Sequence, residues 1–331
     1  MKRSELLLEY LKDIPMLEMS ILPTPLHRLN NMSARLAADL YCKRDDLTAF
    51  AFGGNKTRKL DYLLMDAIAS GYDSLITFGA VQSNWCRMTS VAGRVNGLDV
   101  YLVLAGDMPG KDTANLLIDR LAGAEIIFTD KTEREDIIKE VNRKTLELKN
   151  AGRQAYYMPV GGSVARGSLG YIRAMAEILE YSEKNSLEFR EIILASGSAG
   201  TQAGLVAGQL VSGWQGHIRG MAVSRGKAEQ ERKVLEITRD SLDLIEYDYD
   251  DEQLMALIYV DDHYLGDGYR MITPECRKAI EDFVRYEGIV LDEVYTGKAA
   301  AALIDYADKG EFDHHEPVLF LHTGGSVQLF E

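Results

Sequence analysis

The stretch Phe52–Leu60, FGGNKTRKL, places a lysine where covalent chemistry is within reach. Two glycines and an asparagine precede Lys56, and the apolar residues Leu60, Leu63, Leu64, Ala67 and Ile68 then recur on one helical face. The spacing predicts that Lys56 lies in the first turn of a helix, after a loop freed by Gly53 and Gly54. The partial positive charge of a helix N-terminus opposes an ammonium by up to about 1 kcal/mol and lowers the amine's pKa. That position suits a lysine that must be neutral to attack a carbonyl and form a Schiff base. It suits equally a solvated basic run with Arg58 and Lys59, so other stretches decide the reading.

Two further loops share the pattern of small residues leading into a helix. SGSAGTQAG, Ser196–Gly204, follows the apolar run EIILA and offers the Ser198 and Thr201 hydroxyls beside Gly197 and Gly200. Free backbone N–H groups and the positive end of a helix make such a turn an anion site. It lacks the lysine of a P-loop and the GxGxxG spacing of a dinucleotide site, so a single phosphate monoester fits it best. A strand–helix turn whose glycines serve only packing is the alternative. GAVQSN, Gly79–Asn84, offers Gln82, Ser83 and Asn84 as neutral donors that could hold a carboxylate, or merely cap a helix. A lysine, a phosphate turn and a carboxylate cradle together describe pyridoxal phosphate, whose aldehyde takes the lysine and whose ring is an electron sink.

These loops need a scaffold, and the chain is long enough to supply one. It has 331 residues, 46% of them hydrophobic, and a formal net charge of −14. The mean hydropathy is −0.15 and the pI about 5.0. An acidic surface argues against nucleic acid and anionic membranes as partners. Three scattered cysteines, Cys42, Cys86 and Cys276, form no disulfide framework and no metal-binding spacing, as expected of a reduced, cytoplasmic protein. MKRSELLLEYLKDIPML reads as a short amphipathic helix, not a signal peptide, and no stretch nears the ~20 apolar residues of a membrane span.

Apolar runs at Leu40–Lys43, Ser74–Phe78, Val100–Leu104, Glu125–Phe128, Ala155–Val160, Glu191–Leu194, His217–Val223 and Val318–Leu321 read as strands with helical stretches between them. The alternation predicts an α/β protein with open, twisted, mostly parallel sheets flanked by helices. With no flexible linker, residues 51–160 are expected to form a smaller nested α/β domain. Residues 1–50 plus 161–331 would form the larger one, with Gly161-Gly162 at the crossing. The acidic stretch Leu242–Asp251 is expected on the surface.

The motifs PTPLHRL (Pro23–Leu29), KRDD (Lys43–Asp46), FGGNKTRKL, GAVQSN, SGSAGTQAG, LDEVYTGKA (Leu291–Ala299) and HTGG (His322–Gly325) span nearly the whole chain. In order and spacing they resemble the pyridoxal-phosphate-dependent family that contains D-cysteine desulfhydrase and 1-aminocyclopropane-1-carboxylate (ACC) deaminase. The resemblance implies the tryptophan-synthase-β-like fold (type II) and a homodimer acting on a small amino acid. It implies that Lys56 is the Schiff-base lysine and that Asn55 and Asn84 contact the cofactor. Gly197, Ser198, Ala199, Gly200 and Thr201 would hold the phosphate. Gln82, Ser83 and Asn84 would bind the substrate carboxylate, with Ser83 also a proton-transfer candidate. Tyr269 and Tyr295 would be catalytic tyrosines over the substrate, and Trp85 a pocket residue.

Two positions separate the branches. ACC deaminases carry Glu after the tyrosine, against the pyridine nitrogen; here it is Thr296. Desulfhydrase-like members place a threonine hydroxyl there from the HTGG end; here it is Thr323. A hydroxyl makes the ring a weaker electron sink, which suits α,β-elimination better than cyclopropane ring opening. Ring opening, cysteate sulfo-lyase-like chemistry, racemisation and non-catalytic amino-acid binding stay open. Trp85 stands where the desulfhydrase-like pattern has His, and Arg270 follows Tyr269, which suggests a cationic contact for an anionic side chain or else a solvated arginine. No metal site is expected: His314-His315 reads as a solvated loop and Cys86 as a packed thiol.

Overall fold

A computed structural model describes residues 1–312 and 316–331; His314 and His315 lie outside them. The chain opens with α1 (Arg3–Leu11), β1 (Leu26–Arg28), α2 (Asn30–Leu36) and β2 (Leu40–Arg44). It continues as α3 (Lys56–Ala69), β3 (Ser74–Ala80), α4 (Asn84–Val95), β4 (Asp99–Ala105), α5 (Ala114–Leu121), β5 (Glu125–Thr129), α6 (Arg134–Asn150) and β6 (Ala155–Tyr157). Then follow α7 (Ala165–Asn185), β7 (Glu191–Ser196), α8 (Gly200–Ser212), β8 (His217–Ala222), α9 (Lys227–Leu244), α10 (Asp251–Ala256) and β9 (Tyr259–Asp261). α11 (Pro274–Glu287), α12 (Thr296–Asp308) and β10 (Val318–His322) complete the order.

The strands form two sheets. One has the order β5-β4-β3-β6 and is wholly parallel. The other runs β1-β2-β10-β7-β8-β9, with β1 alone antiparallel. Continuous apolar runs produce this result, because a parallel strand covered by helices on both faces has no polar side. In β7, Ile192 and Leu194 enter the core beneath α7, α8 and α9, while Ile193 and Ala195 enter the one beneath α2, α11 and α12. In β3, Leu75 packs with α3 and α4, and Ile76 and Phe78 pack with α6. This is the expected type II α/β arrangement.

A buried ionic cluster fixes α3 relative to α7. Arg58 donates to Asp45 at 2.8 Å and to Glu177 at 2.7 Å, Lys43 donates to Glu177 at 2.6 Å, and the Tyr171 hydroxyl to Asp45 at 2.6 Å. The KRDD motif therefore supports the base of the Lys56 helix. Gly170 of α7 permits the close approach: a Cβ there would lie 2.4 Å from the Arg58 carbonyl oxygen. Removing one partner of such a cluster strands a buried charge and costs roughly 3–5 kcal/mol.

Some elements depart from expectation. β1 and β9 are three-residue edge strands, and the acidic stretch 242–251 takes in the end of α9 and the start of α10. The 242–251 stretch is not simply surface: Leu242 and Ile245 are buried, and Tyr247 and Tyr249 pack against the core. Among the described residues, no helix is long and apolar enough to cross a membrane.

Candidate active site

The ends of β3, β4, β7 and β10 open onto one cavity of about 650 Å³. Ligands of open α/β sheets bind beyond the carboxyl ends of the strands, where the loops Gly79–Asn84, Ser196–Gly204 and His322–Gly325 begin. Lys56 starts α3 and faces the cavity, with Asn55 immediately before it. Its Nζ donates to Asn55 Oδ1 at 3.0 Å, and Asn55 Nδ2 donates to Thr201 Oγ1 at 3.0 Å, linking the lysine to the α8 turn. Burial pushes the Lys56 amine down to about 8; Asp292 opposes that shift and Arg87 adds to it. The chief cause is thus lost hydration, where the sequence pointed to the helix dipole.

Gly197, Ser198, Ala199 and Thr201 line the cavity, and Gly200 sits just behind them as the first residue of α8. Ser163 Oγ donates to Ser198 Oγ at 2.7 Å and accepts from Gly200 N at 3.2 Å. Behind Ser163 lies Lys59, fully buried, with Nζ donating to Gly161 O at 3.1 Å and Ser163 Oγ at 3.2 Å. Burial holds Lys59 well below the ordinary lysine range. Gly161 admits this arrangement: its φ is +72°, and a Cβ would fall 2.2 Å from Ser198 Oγ. The turn fits a phosphate. Its hydroxyls and the α8 N-terminus face open space, and a Cβ on Gly197 would reach 3.2 Å from Val223 and 3.4 Å from Tyr295.

Opposite this turn, Ser83 caps α4, its Oγ accepting from Cys86 N at 3.2 Å. Asn84 Oδ1 accepts from Asn115 Nδ2 at 3.0 Å, and both Ser83 and Asn84 line the cavity. Gln82 does not. Its Oε1 accepts from the backbone N–H groups of Asn115, at 2.9 Å, and Leu116, at 3.3 Å, at the start of α5, which takes the side chain out of the carboxylate cradle expected for it. Trp85 lines the wall, its Nε1 donating to Thr77 Oγ1 at 2.8 Å. Its ring fills the space beside Gly162, where a Cβ would lie 2.8 Å from Trp85 Cη2. Cys86 is buried, and burial raises its thiol's pKa, so it is a packed thiol.

Tyr269 and Tyr295 meet at the mouth with hydroxyls 2.6 Å apart. Burial and the Tyr269 hydroxyl hold Tyr295 well above the ordinary phenol range. Buried Asp292, which the sequence reading missed, accepts from the backbone N–H groups of Val294, Tyr295 and Thr296 and from the Thr296 hydroxyl, so it fixes the tyrosine's backbone. Thr296 is spent on that contact and does not line the cavity; Thr323 does. His322 orients the Thr323 turn, with Nε2 3.1 Å from Val290 O and Nδ1 accepting from Gly324 N at 3.2 Å. Arg270 is not among the residues that line the cavity: its Nη2 meets both Glu331 carboxylate oxygens at 2.5 and 2.6 Å, so its charge is engaged by that carboxylate.

The sequence reading also missed Arg87. It lies one turn inside α4 and borders the cavity, almost wholly buried, with Nη2 donating to Gly53 O at 3.3 Å.

Known proteins resemble the chain over nearly its whole length. The family model described as "Pyridoxal-phosphate dependent enzyme" matches residues 17–324. A Pyrococcus furiosus protein named, provisionally, as a 1-aminocyclopropane-1-carboxylate deaminase is 39% identical over 97% of this chain and 94% of that one. D-cysteine desulfhydrase of Klebsiella pneumoniae is 37% identical over 98% of each chain. A crystal structure described as an ACC deaminase homologue superposes with a TM-score of 0.90 at 38% identity, covering 98% of this chain and 96% of that one. Processed threonine deaminase isoform 2 of Solanum lycopersicum shares the fold alone, with a TM-score of 0.66 at 18% identity over 97% of this chain and 85% of that one. A lysine-bearing helix, a phosphate turn and this full-length similarity together show that the chain belongs to the pyridoxal-phosphate-dependent enzymes.

Proposed function

We propose that the protein catalyses α,β-elimination on a small, β-substituted, D-configured amino acid, giving a 2-oxo acid, ammonia and the leaving group, as in D-cysteine desulfhydrase. The observation that carries this is the wall beside β10. Thr323 lines the cavity there, and the position where an ACC deaminase carries glutamate is Thr296, locked onto Asp292 away from the cavity. When bound, pyridoxal phosphate supplies the electron sink that stabilises negative charge at Cα.

The chain's own residues have distinct tasks in this reading. Lys56 would anchor the cofactor, and its free amine would accept the α-proton; Ser83 Oγ is the second candidate for that proton. An amine held at about 8 has roughly two- to three-hundredfold more neutral form near pH 7 than a free lysine. The 197–201 turn holds the phosphate, and Asn55 and Asn84 orient the ring. The hydrogen-bonded pair Tyr269–Tyr295 delivers a proton to the leaving group. Trp85 restricts the space beside the substrate. The family resemblance supports a cytoplasmic homodimer. The membership of the strands supports the division into a nested 51–160 unit and a larger one from 1–50 plus 161–331.

The test is to identify the 2-oxo acid released from D- and L-cysteine, β-chloro-D-alanine, cysteate and ACC. Pyruvate from the D-series is the expected result. 2-Oxobutyrate from ACC would overturn the branch assignment. Pyruvate and sulfite from cysteate alone would move the leaving group from thiol to sulfonate.

A further inference from the structure

Arg87 is the described cation that the cavity leaves least satisfied. Its side chain is 1% exposed, and neither Nε nor Nη1 has an acceptor among the described residues. Among the described residues its guanidinium makes one hydrogen bond, from Nη2 to Gly53 O, in the loop leading to Lys56. The nearby acid on α5, Asp119, does not neutralise it by contact: Oδ1 takes the Ser90 hydroxyl and Oδ2 has no partner. Burial pushes Asp119 up to about 7, so its charge is a weak counterweight. A buried guanidinium short of acceptors is costly unless an anion completes it.

Its location names the anion. Arg87 lies three residues after Asn84 and four after Ser83, hence on their face of α4. Long helical side chains lean toward the N-terminus of their helix, the end of α4 at which Ser83 and Asn84 stand. The contact with Gly53 O puts it on the Lys56 side of that helix end. Gln82, expected at this place, is occupied by α5. An amino acid joined to the cofactor near Lys56 has one group that is always anionic, its carboxylate.

We infer that Arg87 is the charged recognition group for the substrate carboxylate, acting with the backbone donors at the start of α4. The inference rests on the amino-acid-binding reading proposed above. It assigns the α4 end of the cavity a full positive charge where the sequence offered only neutral donors.

The test uses holoenzyme and the pair D-alanine and D-alaninamide, with the L-pair alongside. Neither has a leaving group on Cβ, and they differ only in the carboxylate. Binding is read from the change in the cofactor's visible absorption. Wild type is expected to prefer alanine to its amide by roughly 10- to 100-fold, the range of a charge-assisted hydrogen bond. Arg87→Met is expected to lose that preference by weakening alanine alone, with alaninamide unchanged. Arg87→Lys keeps the charge without the planar fork and is expected to fall between them. If Arg87→Met weakens both ligands equally, or keeps the wild-type preference, the inference is overturned. If Arg87→Met does not fold, Arg87→Lys decides: an undiminished preference overturns the inference. A wild-type spectrum that no amino acid moves would defeat the lyase reading instead. Calorimetric titration of the same proteins with the same ligands would then judge Arg87 by the same ratio.

Discussion

At one end of the cavity nearly every polar group already has a partner inside the protein. Ser198 takes a hydrogen bond from Ser163, Ser163 from Lys59 and Gly200, and Thr201 from Asn55. At the other end, the start of α4, Arg87 keeps two donors without an acceptor. In the proposed reading the prebuilt end takes the cofactor's phosphate, a ligand that stays through every turnover. The incomplete α4 end would take the substrate, which arrives and leaves with each cycle. Lys56 stands between them and belongs to both: Asn55 ties it to the phosphate turn, and Arg87 depresses its pKa from the α4 side.

The largest effect is therefore expected where the two ends join. Lys56→Ala should lower elimination by about a thousandfold or more and abolish the lysine-dependent visible absorption of added cofactor. Retained absorption would remove Lys56 from its place. Next comes the prebuilt end. Gly161→Ala adds a Cβ 2.2 Å from Ser198 Oγ at φ +72°. Strain of this kind costs about 1–3 kcal/mol and is expected to weaken cofactor binding roughly tenfold to a hundredfold in a fluorescence titration of apoprotein. If cofactor affinity is unchanged, the turn is not the rigid partner in this contrast.

Gln82→Leu sharpens the contrast from the other side. Because the amide serves α5, the variant is expected to lower the melting temperature, at a cost of about 1–3 kcal/mol, and to leave the KM for the amino acid unchanged. A raised KM with an unchanged melting temperature would return Gln82 to the carboxylate. The pH dependence is subtler. Capture of pyridoxal phosphate needs neutral Lys56, so its rate should rise with pH and level off above about 8. Arg87→Met removes a neighbouring positive charge, which raises the amine's pKa and moves that midpoint to higher pH by a fraction of a unit. Glu331→Gln is expected to change least. Its partly exposed pair with Arg270 contributes about 0–1 kcal/mol, so KM and kcat should both stay close to wild type.

Much of this was legible before the structure, for identifiable reasons. Strands β3, β4, β7 and β10 are covered on both faces and read as unbroken apolar runs, and glycine-rich turns follow β7 and β10. What escaped had a diluted signal. The buried face of α9 includes Gln230, Thr238 and Ser241, so its apolar stripe is broken. β1 and β9 are three residues long and partly exposed, too short for an alternation to register. In the site, residue type misled. A glutamine at a helix start resembles a ligand contact until α5, more than thirty positions later, claims its amide. An arginine inside a helix resembles a solvated one; the available signal for Arg87 was its spacing from Ser83 and Asn84. Arg270 follows a site tyrosine in sequence but leaves the cavity through a left-handed backbone, φ +64°.

Trp85 has a consequence outside catalysis. The chain has two tryptophans. Trp85 forms part of the cavity wall, whereas Trp214 is packed in the core with α7 and α8. Indole emission overlaps the absorption of pyridoxal phosphate, so the protein carries a built-in energy-transfer donor at its ligand site. Loading of the apoprotein should quench its fluorescence chiefly through Trp85, and Trp85→Phe should leave a residual emission from Trp214 that responds far less. The residue that narrows the pocket thereby makes its filling visible without a label.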